Sequence, residues 1–165
     1  MSKVIFPGSF DPIHLGHVDI IKRAARLFDE VVIAVYDRPL KSLLFTPRER
    51  IAMVKQATQD IPNVTIVGYN DLTVQFAKNI GASAIVRGLR VFSDFEYEFR
   101  MAMANKRLEP EMETIAFVTN EQNTFLSSSM VKEIASLGGD VSTMVPGNVL
   151  KALRKKYQPT GSVEA

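Results

Sequence analysis

The stretch KVIFPGSFDPIHLGH, residues 3–17, decides the fold of this chain. Its apolar residues at 4–6 suit a short strand, and the loop after Gly8 leads to a helix that opens near His14. Apolar residues then recur at helical spacing on one face of that helix, at Val18, Ile21, Ala25 and Phe28. A strand, a glycine-containing loop and an amphipathic helix form the first half of a βαβ unit.

The same alternation continues along the chain. Short apolar runs predict strands over residues 4–6, 31–36, 64–67, 84–86 and 115–118. They are separated by segments of helical period, which is typical of a parallel sheet covered by helices on both faces. We therefore predict a single α/β domain over residues 1–157, with five parallel strands in the doubly wound, Rossmann-like order 3-2-1-4-5. Residues 158–165 are expected to form a flexible tail.

Several helix ends are marked in the sequence. TPRE at 46–49 has the pattern of a capping box with proline at the first helical position. SDFE at 93–96 predicts a second capping box, ahead of a helix that runs to about residue 108. Gly81 and Gly138 stand where left-handed residues close the preceding helices.

Composition narrows the class of protein. The 165 residues are 46% hydrophobic and 23% charged, which fits one ordinary globular domain. The absence of cysteine excludes disulfides and thiolate chemistry and fits a reducing cytoplasm, where we expect the protein to be. A formal net charge of +2 without a long basic block argues against nucleic-acid binding. No apolar run reaches the roughly 18 residues that a membrane span needs, so we expect no membrane association.

Both histidines of the chain, His14 and His17, fall in the first helical turn. A zinc site would need a third ligand at comparable spacing, and the chain has no other His and no Cys, so metal ligation is disfavoured. Two interpretations stay open at this point. Each imidazole satisfies a helix cap or a core hydrogen bond, or the pair donates hydrogen bonds to phosphate oxygens whose charge grows in a transition state.

Cations and hydroxyls follow the other predicted strands. Arg87 and Arg90 flank a glycine after the fourth strand, and arginine grips phosphate in two places. Lys41 lies in the loop after the second strand, and NTFLSSS at 123–129 opens a helix after the fifth. Since open α/β sheets bind ligands at the carboxyl ends of their strands, we expect these groups to form an anion site there.

The chain resembles the H-x-G-H nucleotidyltransferase superfamily, which is related to the class I aminoacyl-tRNA synthetases. HLGH at 14–17, after the first strand, and the serine-rich helix start after the fifth carry this resemblance. More closely, the chain is similar to the bacterial phosphopantetheine adenylyltransferases of coenzyme A biosynthesis. That similarity runs from residue 3 to about residue 153, and its motifs are GSFDP, RGLR, DFEYE and SSSMVKE at 8–12, 87–90, 94–98 and 127–133.

The resemblance implies Mg²⁺-assisted transfer of AMP from ATP to 4′-phosphopantetheine, giving dephospho-coenzyme A and pyrophosphate. It assigns catalysis to His17, Lys41 and Arg90, with His17 stabilising the pentacovalent α-phosphate. The residues implied for phosphopantetheine are Ser9, Lys41, Thr73 and Arg87. Those implied for ATP are Ser9, Phe10, His17, Gly88, Leu89, Arg90, Glu98, Asn123, Thr124, Phe125, Leu126, Ser127, Ser128 and Ser129. The resemblance further implies a homohexamer that acts on small molecules and supplies no metal ligand of its own.

Two alternatives share part of this pattern. A sister nucleotidyltransferase that uses another phosphate acceptor would keep residues 14–17 but lack the RGLR and DFEYE motifs. A non-catalytic nucleotide sensor could use the same scaffold. Pyrophosphate release that depends on phosphopantetheine separates the enzyme from both.

Overall fold

A computed structural model of the chain describes residues 1–38 and 42–158. Lys41 and the expected tail from residue 159 onward lie outside the described residues. The strands are β1 (Lys3–Gly8), β2 (Glu30–Tyr36), β3 (Val64–Tyr69), β4 (Ala84–Leu89) and β5 (Glu113–Val118). The helices are α1 (Leu15–Leu27), α2 (Pro47–Ala57), α3 (Thr73–Asn79), α4 (Phe92–Leu108), α5 (Ser128–Ser136) and α6 (Gly147–Tyr157).

The strands form one parallel sheet in the order β3-β2-β1-β4-β5, which confirms the predicted doubly wound topology. β1 and β2 consist of buried apolar residues along most of their length because helices cover both faces of the sheet. The larger core lies on one face, where α1, α2, α5 and α6 pack. A smaller core under α3 contains Ile5, Val32 and Ile85 from the central strands.

Most helix ends follow the sequence prediction, with one exception. Thr46 and Glu49 form the expected reciprocal capping box, and Gly81 and Gly138 take positive φ angles of 73° and 80°. The capping box predicted at 93–96 is wrong, because α4 begins at Phe92 with Val91 as its N-cap. The carboxylate of Asp94 instead accepts hydrogen bonds from Arg90, in the loop before the helix.

The two central strands separate at their carboxyl ends. β1 pairs with β2 as far as Gly8, but it pairs with β4 only through Val4 and Ile5. Pro7 has no backbone N–H and so cannot extend the ladder toward β4. Beyond this point β4 stays paired with β5 through Leu89, and a cleft opens between β1 and β4. Within the described residues, no helix combines the length and the hydrophobicity that crossing a membrane requires.

Candidate active site

The cleft between β1 and β4 has a volume of about 750 Å³ and gathers most of the residues predicted for the site. This size suits a small-molecule ligand. The predicted residues that line it are Ser9, Phe10, His17, Thr73, Arg87, Gly88, Arg90, Glu98, Asn123, Ser127, Ser128 and Ser129. Four predicted ATP contacts do not line it, namely Leu89, Thr124, Phe125 and Leu126. The assigned roles of all these residues stay predictions, as does that of Lys41.

The loop after β1 is held in an unusual conformation by an aromatic ring. Phe10 has a positive φ of 50°, which costs a non-glycine residue about 1 kcal/mol. Its buried ring meets the rings of Phe6 and His17 edge-on, with centroids 5.5 and 5.0 Å away. A Cβ at Gly8 would lie 3.1 Å from this ring, so only glycine leaves the ring its full space. The Phe10 ring therefore packs beneath the loop and against the catalytic candidate His17.

The two histidines form a reciprocal capping box at the start of α1. His14 is the N-cap, and its Nδ1 accepts the backbone N–H of Gly16. His17 is the third helical residue, and its Nδ1 accepts the backbone N–H of His14. An accepting ring nitrogen carries no proton, so in this geometry the Nδ1 of each ring is the acceptor and Nε2 is the ring nitrogen that can donate. The capping role is thus present for both rings, and the His17 ring also lines the cleft.

Burial keeps His14 in the neutral form. The side chain is 5% exposed, and this desolvation, helped by the positive charge of Arg90, lowers the pKa of His14 to about 4. A cation at this position would be repelled by Arg90, and its Nδ1 could not accept the Gly16 N–H. His14 therefore serves as a structural acceptor at neutral pH.

Arg87 is oriented by α4 and by β1. Its Nε and Nη2 donate to the two carboxylate oxygens of Glu98, each at 2.8 Å, and its Nη1 donates to the carbonyl of Pro7. Burial alone would lower the pKa of Arg87, but the hydrogen bonds and charge of Glu98 raise it above its usual value. The guanidinium thus spans the gap between β1 and β4. Glu98, assigned to ATP by resemblance, here holds an arginine assigned to the acceptor.

Arg90 is fixed in the same way by a different carboxylate. Asp94 accepts the backbone N–H of Arg90 and two of its guanidinium N–H groups, while Nη1 of Arg90 donates to the carbonyl of Leu126 at 2.6 Å. Partial burial would raise the pKa of Asp94, but the hydrogen bonds and charge of Arg90 lower it below its usual value. Arg90 therefore connects the end of β4 with the serine-rich loop.

The three consecutive serines at 127–129 differ in their contacts. Ser127 is the N-cap of α5 and accepts the backbone N–H of Met130. Ser128 Oγ donates to the carbonyl of Pro12, which ties α5 to the loop after β1. Ser129 is exposed at the mouth of the cleft. Helix capping thus accounts for one hydroxyl of the three.

The sequence reasoning missed several residues of the cleft. Asp94 lines it, and its i,i+4 spacing from Arg90 was a signal that could have revealed the pair. Asp11 also lines it and is 2% exposed, paired with Lys132. Asp11 and Lys132 are 121 positions apart, and no local pattern predicts such a contact.

A doubly wound fold with arginines, imidazoles and a helix start around one cleft defines a nucleotidyltransferase-type domain. A cytidylyltransferase-like family model matches residues 5–134. Proteins named phosphopantetheine adenylyltransferase from Roseiflexus sp. and Caldanaerobacter subterraneus are 49% and 51% identical to this chain, over 95% and 96% of it and 98% and 99% of their own lengths. The chain belongs to the phosphopantetheine adenylyltransferase family.

A third relative of the same name, from Heliobacterium modesticaldum, is 52% identical over 97% of this chain and 95% of its own length. The fold also matches the crystal structure of a Vibrio parahaemolyticus protein described as a nicotinate-nucleotide adenylyltransferase. That match has a TM-score of 0.70 and 19% identity, and it covers 96% of this chain and 98% of the other. At this identity the likeness concerns the fold alone.

Proposed function

We propose that this protein transfers AMP from ATP to the phosphate of 4′-phosphopantetheine, producing dephospho-coenzyme A and pyrophosphate. The observation that carries the proposal is the convergence of His17, Arg87 and Arg90 on one cleft at the gap between β1 and β4. Family membership supplies the substrates, since the relatives are named for this reaction.

The reaction is a single displacement at phosphorus. A phosphate oxygen of phosphopantetheine forms a bond to the α-phosphorus of ATP, the bond from that phosphorus to the bridging oxygen breaks, and pyrophosphate leaves with the electron pair. We assign Nε2–H of His17 to a non-bridging α-phosphate oxygen, where negative charge grows in the transition state. Arg87 would hold the acceptor phosphate, and Arg90 with the start of α5 would hold the nucleotide.

Such a transfer needs positioning and charge stabilisation more than a protein nucleophile. The chain has no cysteine, and the hydroxyls of Ser127 and Ser128 are engaged by a backbone N–H and a carbonyl. The fixed guanidiniums fit this demand because Glu98 and Asp94 already hold them in place. Little reorganisation is then required when the phosphates enter.

Mg²⁺ is the cofactor we propose, carried by the triphosphate of ATP. Among residues 1–38 and 42–158, no group of three His, Asp or Glu side chains could hold a metal ion. The carboxylates of Asp11, Asp94 and Glu98 are each ion-paired with a lysine or an arginine, so they do not form a preorganised metal-binding site. Mg²⁺ is commonly held through substrate phosphates with few protein ligands. Activity should be lost in EDTA and restored by excess MgCl₂.

Product identification tests the function. ATP and Mg²⁺ are mixed with the protein and one acceptor at a time, namely phosphopantetheine, glycerol phosphate or nicotinamide mononucleotide, and the products are identified by mass. Dephospho-coenzyme A and pyrophosphate with phosphopantetheine alone would support the proposal. A product with another acceptor would indicate a sister enzyme, and ATP binding without turnover would indicate a sensor.

We further propose that the protein acts as a homohexamer. None of the described side chains of α4 is buried, although the helix has 17 residues. Phe95, Phe99 and Met103, spaced four apart, form an apolar stripe on it, each more than half exposed, and Val118 of the edge strand β5 is also exposed. Apolar patches of this kind mark interaction surfaces, and a second copy of the chain is the simplest occupant.

Light scattering after size exclusion tests the assembly. A hexamer should have a mass near 110 kDa, six times the 18.4 kDa of one chain. Phe99→Asp should yield smaller species, whereas Leu137→Asp, at another exposed apolar residue, should not. A monomeric wild type would contradict the proposal.

A cytoplasmic location also stays a proposal, supported by the absence of cysteine and testable by cell fractionation.

A further inference from the structure

The carboxylate of Asp11 joins three parts of the molecule beneath the cleft. Its Oδ1 accepts the backbone N–H of Phe45, and its Oδ2 accepts the backbone N–H of Leu44, both at 2.9 Å. Oδ2 also accepts Nζ of Lys132, on α5, at 2.7 Å. The Asp11 side chain is 2% exposed and that of Lys132 is 21% exposed, so the pair is largely shielded from water.

These contacts lie close to the residues assigned to both substrates. Asp11 directly follows Ser9 and Phe10, and Lys132 follows Ser128 and Ser129 by one helical turn. Leu44 and Phe45 precede α2 and belong to the loop after β2. One carboxylate thus connects the loop after β1, the loop after β2 and the middle of α5, one turn beyond its serine-rich start.

A buried arginine also holds the loops after β1 and β2. Arg50, on α2, is fully buried, and its Nη1 donates to the carbonyls of Ser9 and Tyr36 at 2.7 and 2.8 Å. Its Nε donates to the carbonyl of Phe45. Because the hydrogen bonds of Arg50 to the carbonyls of Ser9 and Phe45 do not involve Lys132, loss of the Lys132 charge should shift the loop by a small distance and leave it otherwise folded.

We propose that Asp11 and Lys132 form a positioning pair that sets the loop after β1 against the start of α5 for the transition state. The inference rests on the proposed function. Stability alone is a weak reason to keep such a pair, because apolar replacements of buried ion pairs are often neutral. The contact does join the two segments that hold the reacting phosphates, where small displacements have large effects on rate.

Lys132→Met tests the pair, since methionine keeps much of the length and loses the charge. We expect kcat to fall on the order of 10²-fold, while both KM values change by less than about threefold, because binding groups remain and alignment is lost. Lys132→Arg should recover most of the lost kcat, since it can still donate to Oδ2. Lys55→Met removes an exposed lysine from α2 and should match the wild type.

Asp11→Asn provides a second test that keeps the side-chain volume and an acceptor oxygen. Because each carboxylate oxygen of Asp11 accepts a backbone N–H, this variant also loses one of those two hydrogen bonds. Its kcat should fall at least as far as that of Lys132→Met, and the double variant should be no slower than Asp11→Asn, because both changes remove the Asp11–Lys132 contact. All variants are assayed well below their melting temperatures. Wild-type kcat in the folded Lys132→Met or Asp11→Asn variant, or additive losses in the double variant, would overturn the inference. An inactive wild type would instead overturn the proposed function, so the two failures are distinguishable.

Discussion

The rings of His14 and His17 stack with their centroids 3.7 Å apart, and each ring accepts a backbone N–H at the start of α1. Their spacing of three positions is the spacing of a capping box, in which the N-cap and the third helical residue serve each other's backbone N–H groups. The same arrangement fixes the ring orientation of His17. The capping box at the start of α1 thus orients the His17 ring that lines the cleft.

His17 can be tested without disturbing this cap. Asn places an acceptor oxygen close to the position of Nδ1 and lacks a group at Nε2, so His17→Asn should keep the cap and lose the donor. We expect kcat to fall by roughly 10² to 10³, on the order of 3 to 4 kcal/mol in the transition state, with ATP affinity little changed. Steady-state kinetics and calorimetric ATP binding measure the two effects. Normal turnover by a well-folded His17→Asn would contradict the assigned role.

His14 predicts a dependence of stability on pH. The pKa of His14 is about 4 in the folded protein, against the ordinary histidine value of 6.5. As pH falls from 6.5 to 4, His14 becomes protonated in the unfolded chain but stays neutral in the folded protein. The free energy of unfolding therefore decreases, by about 3 kcal/mol in all. Above pH 6.5 this contribution is fully retained.

His14→Asn provides the comparison for that pH dependence, because asparagine is a good N-cap and does not titrate. Urea denaturation of both proteins at a series of pH values should show the wild type losing more stability than the variant between pH 6.5 and 4. Parallel curves over that interval would show that His14 titrates normally.

Two roles are assigned to Glu98: the family resemblance implies a contact with ATP, whereas the structure shows it holding Arg87. A variant of Glu98 distinguishes them. Glu98→Gln weakens the bidentate grip on Arg87, and we therefore expect KM for phosphopantetheine to rise roughly tenfold, the equivalent of about 1.4 kcal/mol. Glu96→Gln alters an exposed carboxylate of the same helix and serves as the control. A rise in KM for ATP instead would favour the direct ATP contact implied by the family resemblance.

Close packing against Ile20 explains why position 88 is a glycine. A Cβ at this position would lie 2.4 Å from Cδ1 of Ile20, whose side chain is 4% exposed. Gly88→Ala should lower the free energy of unfolding by about 2 kcal/mol, as overpacked cores do. Ile20→Val removes the clashing Cδ1, so the double variant should be more stable than the sum of the single losses allows. Simple additivity in urea denaturation would show that the clash is relieved elsewhere.

The sequence was enough to predict the strands and their order, the start of α1 and most of the cleft residues. These features depend on hydrophobic periodicity and helix-end residues, which are local properties of the chain. Arg50 could not be predicted in this way, since its carbonyl partners Ser9 and Tyr36 are 41 and 14 positions away. A lone arginine on an amphipathic helix usually faces water. The capping box predicted at 93–96 is wrong because α4 begins earlier, at Phe92, so position 93 already lies inside the helix, and Glu96 pairs with Arg100. Exact helix boundaries are not fixed by local pattern alone.

The central claim is that the cleft holds both phosphates so that one attacks the other directly. The stereochemistry at phosphorus tests it, with ATP that carries sulfur on its α-phosphorus in one defined configuration and phosphopantetheine as acceptor. A single in-line displacement predicts inversion of configuration in the dephospho-coenzyme A analogue. Retention would require two displacements through a covalent enzyme intermediate and would contradict the account.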